Sequence, residues 1–485
     1  MHNEPTDSGD TVPGTRIFAF GKMNVTLTPG KALAIHFPDP KFIYRPIYWF
    51  YRLAGGLWRW SRRRFTPAGL CVAWGLVVAA VVSGDIENTV TYQSFALLLA
   101  LLLPALVGSR FFRAKFSAGR LLPRFGTAGQ PLRYRVLVGN LTAKTQNGLT
   151  LLEDVAEPRP NFQQWLAFQL AETRRVRPFS LTQRRRGNPF RMADAKDTEL
   201  PPLSPGGEEE VAVEVMPLRR GILRFAGVTL ARPDPLGLFR SFVKVSAPQS
   251  VLILPRRYPV PPIALPGASR YQQGGVALAA SVGSSEEFVA LRDYRHGDPL
   301  RHIHWRSWAR AGKPIVKEFE DEFFVRHALV LDTFGEEPNS EFLEEAVSVA
   351  ASFACTVLTQ ESLLDLLFVG DQSYCFTAGR GLAHVEQMLE VLASVQNCPG
   401  RDFAALEHLV LNHISAVSGC ICVLQRWDGP RRRMVKNLRA AGIPLLVLVL
   451  ARPGKKPPAV PPEDGPEDFH VLEIGKIEQQ LAQLS

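Results

Sequence analysis

The chain has 485 residues, 46% of them hydrophobic and 21% charged, with a formal net charge of +10. That length predicts about three domains, and the apolar content excludes a wholly disordered chain. The charge is concentrated: residues 41–120 hold eleven Lys and Arg against two acids, Asp85 and Glu87. A basic excess confined to one window beside apolar runs points to a membrane and not to nucleic acid.

Residues 1–60 read as a polar, disordered start followed by an aromatic and basic segment, Phe42–Trp60, suited to the headgroup level of a bilayer. Within 61–113, the apolar runs Thr66–Gly84 and Val90–Ser109 are each long enough as helix, ~28 Å, to cross a hydrocarbon core. Arg59, Arg62, Arg63 and Arg64 precede the pair, and Arg110, Arg113 and Lys115 follow it; the turn between carries no cation. The positive-inside rule then predicts a two-pass hairpin with both termini cytoplasmic, and the charge asymmetry argues against a hairpin buried in a soluble core. The six cysteines form no CxxC pair, so neither a zinc site nor a disulfide framework is expected.

Residues 114–254 change to alternation. Leu132, Tyr134, Val136 and Val138 form one apolar row, and Val211, Val213 and Val215 another. With the short runs Gly221–Phe225, Val228–Leu230, Ser241–Val245 and Val251–Leu254, this predicts an antiparallel β-sandwich. Residues 156–205, rich in Arg and Pro, read as an inserted loop that is solvated or touches anionic headgroups. Residues 255–325 read as a linker followed by an unusual Arg- and aromatic-rich segment. Residues 326–485 alternate continuous apolar strands with helices, the pattern of a doubly wound, mostly parallel α/β sheet covered on both faces. The predicted strands are His327–Asp332, Leu363–Val369, Gly419–Leu424, Ile443–Leu450 and Phe469–Leu472, with Tyr374–Phe376 as a further one. Cys420 and Cys422 alternate within one strand and are expected on one buried side. Functional sites of such sheets lie at the carboxyl ends of the strands.

The segment Glu286–Glu320 places Arg292, Arg295, Arg301, Arg306 and Arg310 among Glu287, Asp293, Asp298, Tyr294, Trp305 and Trp308. Guanidinium groups grip carboxylates in pairs and stack on aromatic planes, so the segment is expected either to lock two domains together or to present a surface to a partner. His296, His302 and His304 lie nearby, but so many arginines disfavour a zinc ion or a catalytic His/Asp centre there. Gly379-Arg380-Gly381 lacks the last glycine of a dinucleotide fingerprint. No GxxxxGK[ST], no GxSxG and no Cys–His arrangement is found, and the chain is expected not to be an enzyme.

The order Glu287-Phe288, Leu291-Arg292, Tyr294, Gly297-Asp298, Arg301, Ile303, Trp305 and Ala309-Arg310 resembles the hallmark of the bacterial domain-of-unknown-function 58 family. Arg219-Arg220-Gly221 and Asp234-Pro235-Leu236-Gly237-Leu238-Phe239 resemble a second family segment, with Leu236 where Phe is usual. The resemblance covers roughly residues 120–375. It implies a von Willebrand factor A-like domain at the C-terminal end, a place in the bacterial cytoplasmic (inner) membrane and a MoxR-type AAA+ ATPase as partner. Membrane lipid and other envelope proteins are further partners, and the implied role is a scaffold or adaptor in envelope complex assembly, maturation or stress response. A-type domains often bind Mg²⁺ through Asp-x-Ser-x-Ser and later oxygen ligands. Here the first motif is Asp332-Thr333-Phe334-Gly335-Glu336, and a later Asp-Gly is Asp428-Gly429. Phe334 and Glu336 replace both serines, so no cofactor is expected; a metal-dependent, adhesion-type module with Asp332 and Asp428 as ligands is the alternative.

Overall fold

The computed structural model describes residues 16–20, 23–27, 34–36, 40–82, 89–109, 112, 114–156, 158, 160–175, 190–261, 288–319, 326–335, 340–359, 363–378, 382–414, 417–454 and 468–484. In chain order, β1 (Arg16–Phe20), β2 (Met23–Leu27) and β3 (Ala34–His36) precede three helices, α1 (Pro40–Arg64), α2 (Pro67–Val82) and α3 (Thr89–Gly108). Strands β4 (Phe116–Leu121), β5 (Phe125–Thr127), β6 (Leu132–Asn140) and β7 (Thr150–Val155) lead to helix α4 (Phe162–Arg175). Next come β8 (Ala193–Ala195), β9 (Thr198–Glu199), β10 (Glu208–Pro217), β11 (Gly221–Pro233) and β12 (Arg240–Leu254). The signature segment forms β13 (Phe288–Asp293), a tight helical turn, α5 (Trp305–Ala311) and β14 (Ile315–Phe319). The remainder alternates as β15 (Arg326–Leu331), α6 (Glu341–Thr359), β16 (Leu363–Val369), β17 (Ser373–Ala378), α7 (Leu382–Ser394), α8 (Ala404–His413), β18 (Gly419–Leu424), α9 (Gly429–Ala440), β19 (Leu445–Ala451), β20 (Asp468–Glu473) and α10 (Ile477–Leu481).

The chain divides into two compact units. The first comprises residues 1–114, 159–187 and 231–243. Its α3 is long and apolar enough to cross a bilayer, which supports membrane association. Helix α2 has sixteen residues, ~24 Å, fewer than the nineteen-residue run read from sequence, and residues 83–88 lie outside the described part. The two helices pack with Gly75 against Leu98. The start of α2 is pinned by the loop 234–239. Asp234 shapes that loop: its Oδ1 accepts the N–H groups of Leu238 and Phe239 at 2.7 and 2.6 Å, and its Oδ2 accepts that of Leu236 at 3.0 Å. Thr66 then caps α2, accepting Gly69 N–H at 3.0 Å while its hydroxyl donates to Gly237 O at 2.6 Å. Phe65, Phe239 and Ala105 pack around Leu238. Gly69 lies so close to the Leu238 carbonyl that a Cβ has no room.

The second unit holds residues 115–158, 188–230 and 244–485. It contains a four-stranded sheet, β4-β6-β10-β8, and a five-stranded sheet, β5-β12-β11-β7-β9. β6 pairs antiparallel with β4 and β10, as the alternation predicts, while β5 runs parallel to β12. The two pairs of short runs expected after residue 220 are instead two long strands, β11 and β12. The sheets meet through Tyr134 and Phe225, 5.7 Å apart edge to face, and through Arg120. That arginine is fully buried beside Glu153 at 2.7 Å and also donates to the carbonyls of Gly227 and Ala247. The expected loop at 156–205 is not all loop: it contains α4, whose Trp165 and Leu166 are buried. Its polar and arginine-rich sequence hides this pair of apolar anchors, which alternation and length do not reveal.

Six strands form the last sheet in the order β17-β16-β15-β18-β19-β20, parallel except for β17. Alternate residues of its strands enter opposite cores. Leu329, Leu331, Ile421, Val423 and Leu448 pack with α6, α7 and α10; Ala328, Val330, Cys420, Cys422 and Val447 pack with α8 and α9. The parallel, two-faced sheet and its strand positions are as the sequence predicts. The sheet is fixed to the preceding β-sheets by Arg220, which pairs with Glu344 of α6 at 2.7 Å and donates to Val395 O at 2.7 Å, and by Tyr258. The Tyr258 amide donates to Ser352 Oγ and its hydroxyl to Glu345 Oε2, so the expected linker starts as a packed segment.

Replacing Gly69 with Ala forces a methyl group against the Leu238 carbonyl, and thermal melting in detergent is expected to show a loss of about 1–3 kcal/mol. Gly56→Ala, on the open surface of α1, is the matched control and is expected to be neutral or mildly stabilising.

Candidate functional site

In the order β17-β16-β15-β18-β19-β20, the chain reverses its direction of build between β15 and β18. The crevice outside the carboxyl ends of those two strands is where doubly wound sheets hold ligands. Asp332 follows β15 and is completely buried. Its Oδ1 accepts the Phe334 N–H at 2.9 Å and its Oδ2 the Gln425 N–H, from the end of β18, at 2.9 Å. The Gln425 side chain donates to Asp332 O and to Asn397 Oδ1.

The remaining partner of Asp332 is Arg431, from the first turn of α9. Its Nε and Nη2 grip the two carboxylate oxygens at 2.7 and 3.0 Å, while its Nη1 reaches Asp428 Oδ2 at 2.6 Å. Nη2 also donates to Phe334 O, and the guanidinium carbon lies 4.6 Å from the centre of the Phe403 ring. Asp428 caps α9 by accepting the Arg431 N–H. Burial works against the Arg431 cation, but hydrogen bonds and charge from Asp332 and Asp428 hold its pKa above the ordinary value. The two carboxylates considered as metal ligands thus share one guanidinium as their counter-charge, and Phe334 places a ring against Phe403 where an oxygen ligand is needed. Thr333 Oγ1 donates to Val369 O, which commits that hydroxyl as well. These residues do not fit a divalent cation, and Glu336 lies outside the described residues. Among the described residues, no group of three or more His, Cys, Asp or Glu side chains converges on a metal position.

The signature segment folds on itself. β13 and β14 pair antiparallel, and Ile303 bridges to Val316. Arg292 holds Asp298 with two bonds of 2.7 and 2.8 Å, and Asp298 also accepts the Arg295 N–H at 2.8 Å. This staple closes the turn at Gly297, whose φ of 107° suits glycine. Those hydrogen bonds, from Arg292 first and then from the Arg295 backbone, hold the Asp298 pKa down at about 2. Trp305 and Trp308 stack at 5.1 Å. Arg301 donates to His302, whose ring nitrogen is thereby used, and His304 bonds Ser307. Arg310 stands in the last turn of α5, where a cation offsets the helix dipole. Tyr294 is half-buried, and its amide donates to Pro314 O. Glu287 lies outside the described residues. Between residues 290 and 317, only Ile303 and Val316 are buried, whereas Leu300 is 68% and Trp305 65% exposed.

The sequence brought forward Arg292, Asp298, Arg301 and Trp305 but passed over Arg431 and Arg220. Arg431 has a faint sequence signal: it stands three residues after Asp428 at a helix start, a spacing that suits a cap and an ion pair. Arg220 belongs to the second resembling segment, and nothing in its neighbourhood specifies that its partners come from α6 and from the loop after α7.

Residues 290–421 match the family model described as "Protein of unknown function DUF58". The window opens inside β13 and closes inside β18; it contains Asp332 and leaves out Asp428 and Arg431. "Uncharacterized protein YeaD" of Bacillus subtilis is 26% identical over 196 residues, 40% of this chain. The match spans about half, 47%, of that relative's length. Among solved structures, the CARDB domain of a Pyrococcus furiosus protein in complex with di-metal ions aligns at 13% identity over 30% of this chain and 91% of its own, with a TM-score of 0.17. A mutant of Salmonella alpha-2-macroglobulin aligns at 18% identity over 33% of this chain and 8% of its own, also with a TM-score of 0.17. Likeness at this level carries no argument about fold or activity.

Three measurements probe the geometry. Arg431→Ala leaves Asp332 buried without its cation, and chemical denaturation is expected to show a loss of about 3–5 kcal/mol; isothermal calorimetry of the unaltered chain is expected to show no heat of Mg²⁺ or Mn²⁺ binding. In an NMR titration, the Asp298 carboxyl should have its midpoint at about 2. Because this folded-state pKa lies below the unfolded value, ~3.9, the staple is fully favourable above the unfolded value and is lost as pH falls through the folded one. Arg292→Gln should move the midpoint back towards the ordinary value.

Proposed function

We propose that the chain, which belongs to the DUF58 family, is a membrane-anchored, non-enzymatic scaffold or adaptor whose signature hairpin is a docking surface. The observation that carries this reading is the exposure of the hairpin. A two-stranded ribbon is at best marginally stable without further packing, and between residues 290 and 317 this one buries only Ile303 and Val316 while leaving Leu300 and Trp305 in solvent. Arg and Trp are the side chains that dominate binding energy at protein interfaces. Domain locking is supplied elsewhere, by Arg220 and Tyr258, which frees the signature for a partner.

Residues 288–319 carry the cations Arg292, Arg295, Arg301, Arg306, Arg310, Lys313 and Lys317 against the acids Asp293, Asp298 and Glu318. Such a surface suits an acidic partner face. The family resemblance suggests that partner is a MoxR-type AAA+ ATPase acting on envelope complexes at the bacterial inner membrane. In this reading α2 and α3 form a two-pass hairpin with both termini in the cytoplasm. The paired β-sheets are a sandwich, and the six-stranded sheet is a von Willebrand factor A-like domain that works without a metal. The buried Arg431 argues against the metal-dependent adhesion module.

The test is a tagged co-purification from mildly solubilised membranes, with and without ATP, read by mass spectrometry. An AAA+ ATPase is expected with the unaltered chain and is expected to be lost, by about tenfold or more, in Arg301→Ala and Trp305→Ala. Because both side chains are exposed, the melting temperature should stay unchanged. Capture that survives both substitutions, or a large fall in melting temperature, would return the signature to a structural role.

A further inference from the structure

Helix α1 has one covered face and one bare face. On the covered face, Tyr44, Tyr48 and Tyr51 surround Trp165 of α4, with ring centres 6.3, 5.4 and 5.9 Å away. The Tyr48 hydroxyl donates to Pro160 O at 2.9 Å, just before that helix. The helical period sends Trp49, Phe50, Leu53 and Leu57 to another side. There they are 65%, 73%, 66% and 66% exposed, a concentration of large apolar side chains that water does not tolerate without a partner.

Beside this face runs a basic stripe. Arg45 and Arg52, both exposed, stand seven residues apart, which is two helical turns, and the spacing continues in sequence at Arg59. Pro40–Arg64 contains no acidic residue and ends in Arg62, Arg63 and Arg64. Only Phe65 and Thr66 separate that basic end from α2, whose first turn is fixed by Thr66 and Gly69. A two-residue joint keeps the last turn of α1 at the entrance of the apolar helices. The bare face is therefore tethered where a bilayer surface is, at an effective concentration that a free partner cannot match.

We propose that α1 lies on the membrane surface, with Trp49, Phe50, Leu53 and Leu57 in the boundary between headgroups and acyl chains and its arginines on anionic phospholipid headgroups. This proposal rests on the membrane-anchor reading of α2 and α3. Aromatic side chains favour the boundary layer because one flat apolar body fits among acyl chains while the ring edge meets the headgroups. Arg45 and Arg52 then stand level with lipid phosphates and carry the preference for anionic lipid.

The test reconstitutes the full chain into vesicles of phosphatidylcholine with a minority of phosphatidylglycerol, brominated either near the headgroups or deep in the acyl chains. The emission lost in Trp49→Phe, a change that keeps the apolar face, is assigned to Trp49. That emission is expected to be quenched by the shallow bromines, more than by the deep ones. Quenching should fall by about twofold when phosphatidylglycerol is removed or when Arg45 and Arg52 are both changed to Gln. A Trp49 emission untouched by either lipid, in a chain that floats with the vesicles, would overturn the proposal and leave the face to a protein, a second copy included. Quenching that ignores both the anionic lipid and the arginines would overturn the headgroup assignment; if the double variant does not reconstitute, the comparison of the two lipid mixtures decides. A chain that does not float with vesicles would overturn the anchor reading itself.

Discussion

The second unit depends on one guanidinium. Arg431 lies between Asp332 and Asp428 at the place where the parallel sheet changes its direction of build. A buried carboxylate such as Asp332 is costly unless hydrogen bonds and nearby positive charge compensate it. Arg431 supplies the cation, and the amides of Phe334 and Gln425 complete the set. The bond ties α9 to the ends of β15 and β18 and so fixes the three elements that line the crevice. A divalent ion in such a position binds and leaves with its concentration and with pH; an arginine is charged at every accessible pH and is covalently present. The positive charge in the crevice is thereby permanent.

Buried arginines recur as the joints of this unit. Arg120 spans the two β-sheets through Glu153 and two carbonyls, and Arg220 connects them to α6 through Glu344. The planar fork of the side chain lets each serve several acceptors at once. The first unit uses no such joint among the contacts that pin α2. There a loop shaped by Asp234 offers its carbonyls to the first turn of the helix, and the fit relies on the missing side chain at Gly69.

These joints leave the signature hairpin and the outer face of α1 as the large exposed surfaces rich in Arg and Trp. Each is organised locally, the hairpin by the Arg292–Asp298 staple and α1 by the tyrosines around Trp165, and each leaves large side chains exposed, Leu300 and Trp305 on one and Trp49, Phe50, Leu53 and Leu57 on the other. A protein whose internal connections are made elsewhere can give such surfaces to partners at little cost to its own fold, which is the physical basis of the adaptor role proposed above.

The sequence by itself determined the strands of the last sheet and the faces they present. Strands β15, β16, β18, β19 and β20 stand within a few residues of the predicted positions, because apolar periodicity is written in consecutive residues. The alternation that put Cys420 and Cys422 on one side does put both in one core. Local sequence also placed Arg292 and Asp298 within reach of each other, six residues apart. Helix α4 escaped because its one deeply buried aromatic is set among polar and basic residues. What only the tertiary structure decided is which charges meet. Arg431 and Asp332 are 99 residues apart, Arg220 and Val395 175, and Thr66 and Gly237 171. Such pairings are chosen when whole layers pack, because a buried charge or carbonyl takes whatever partner the packing brings to it, and no spacing along the chain encodes that choice.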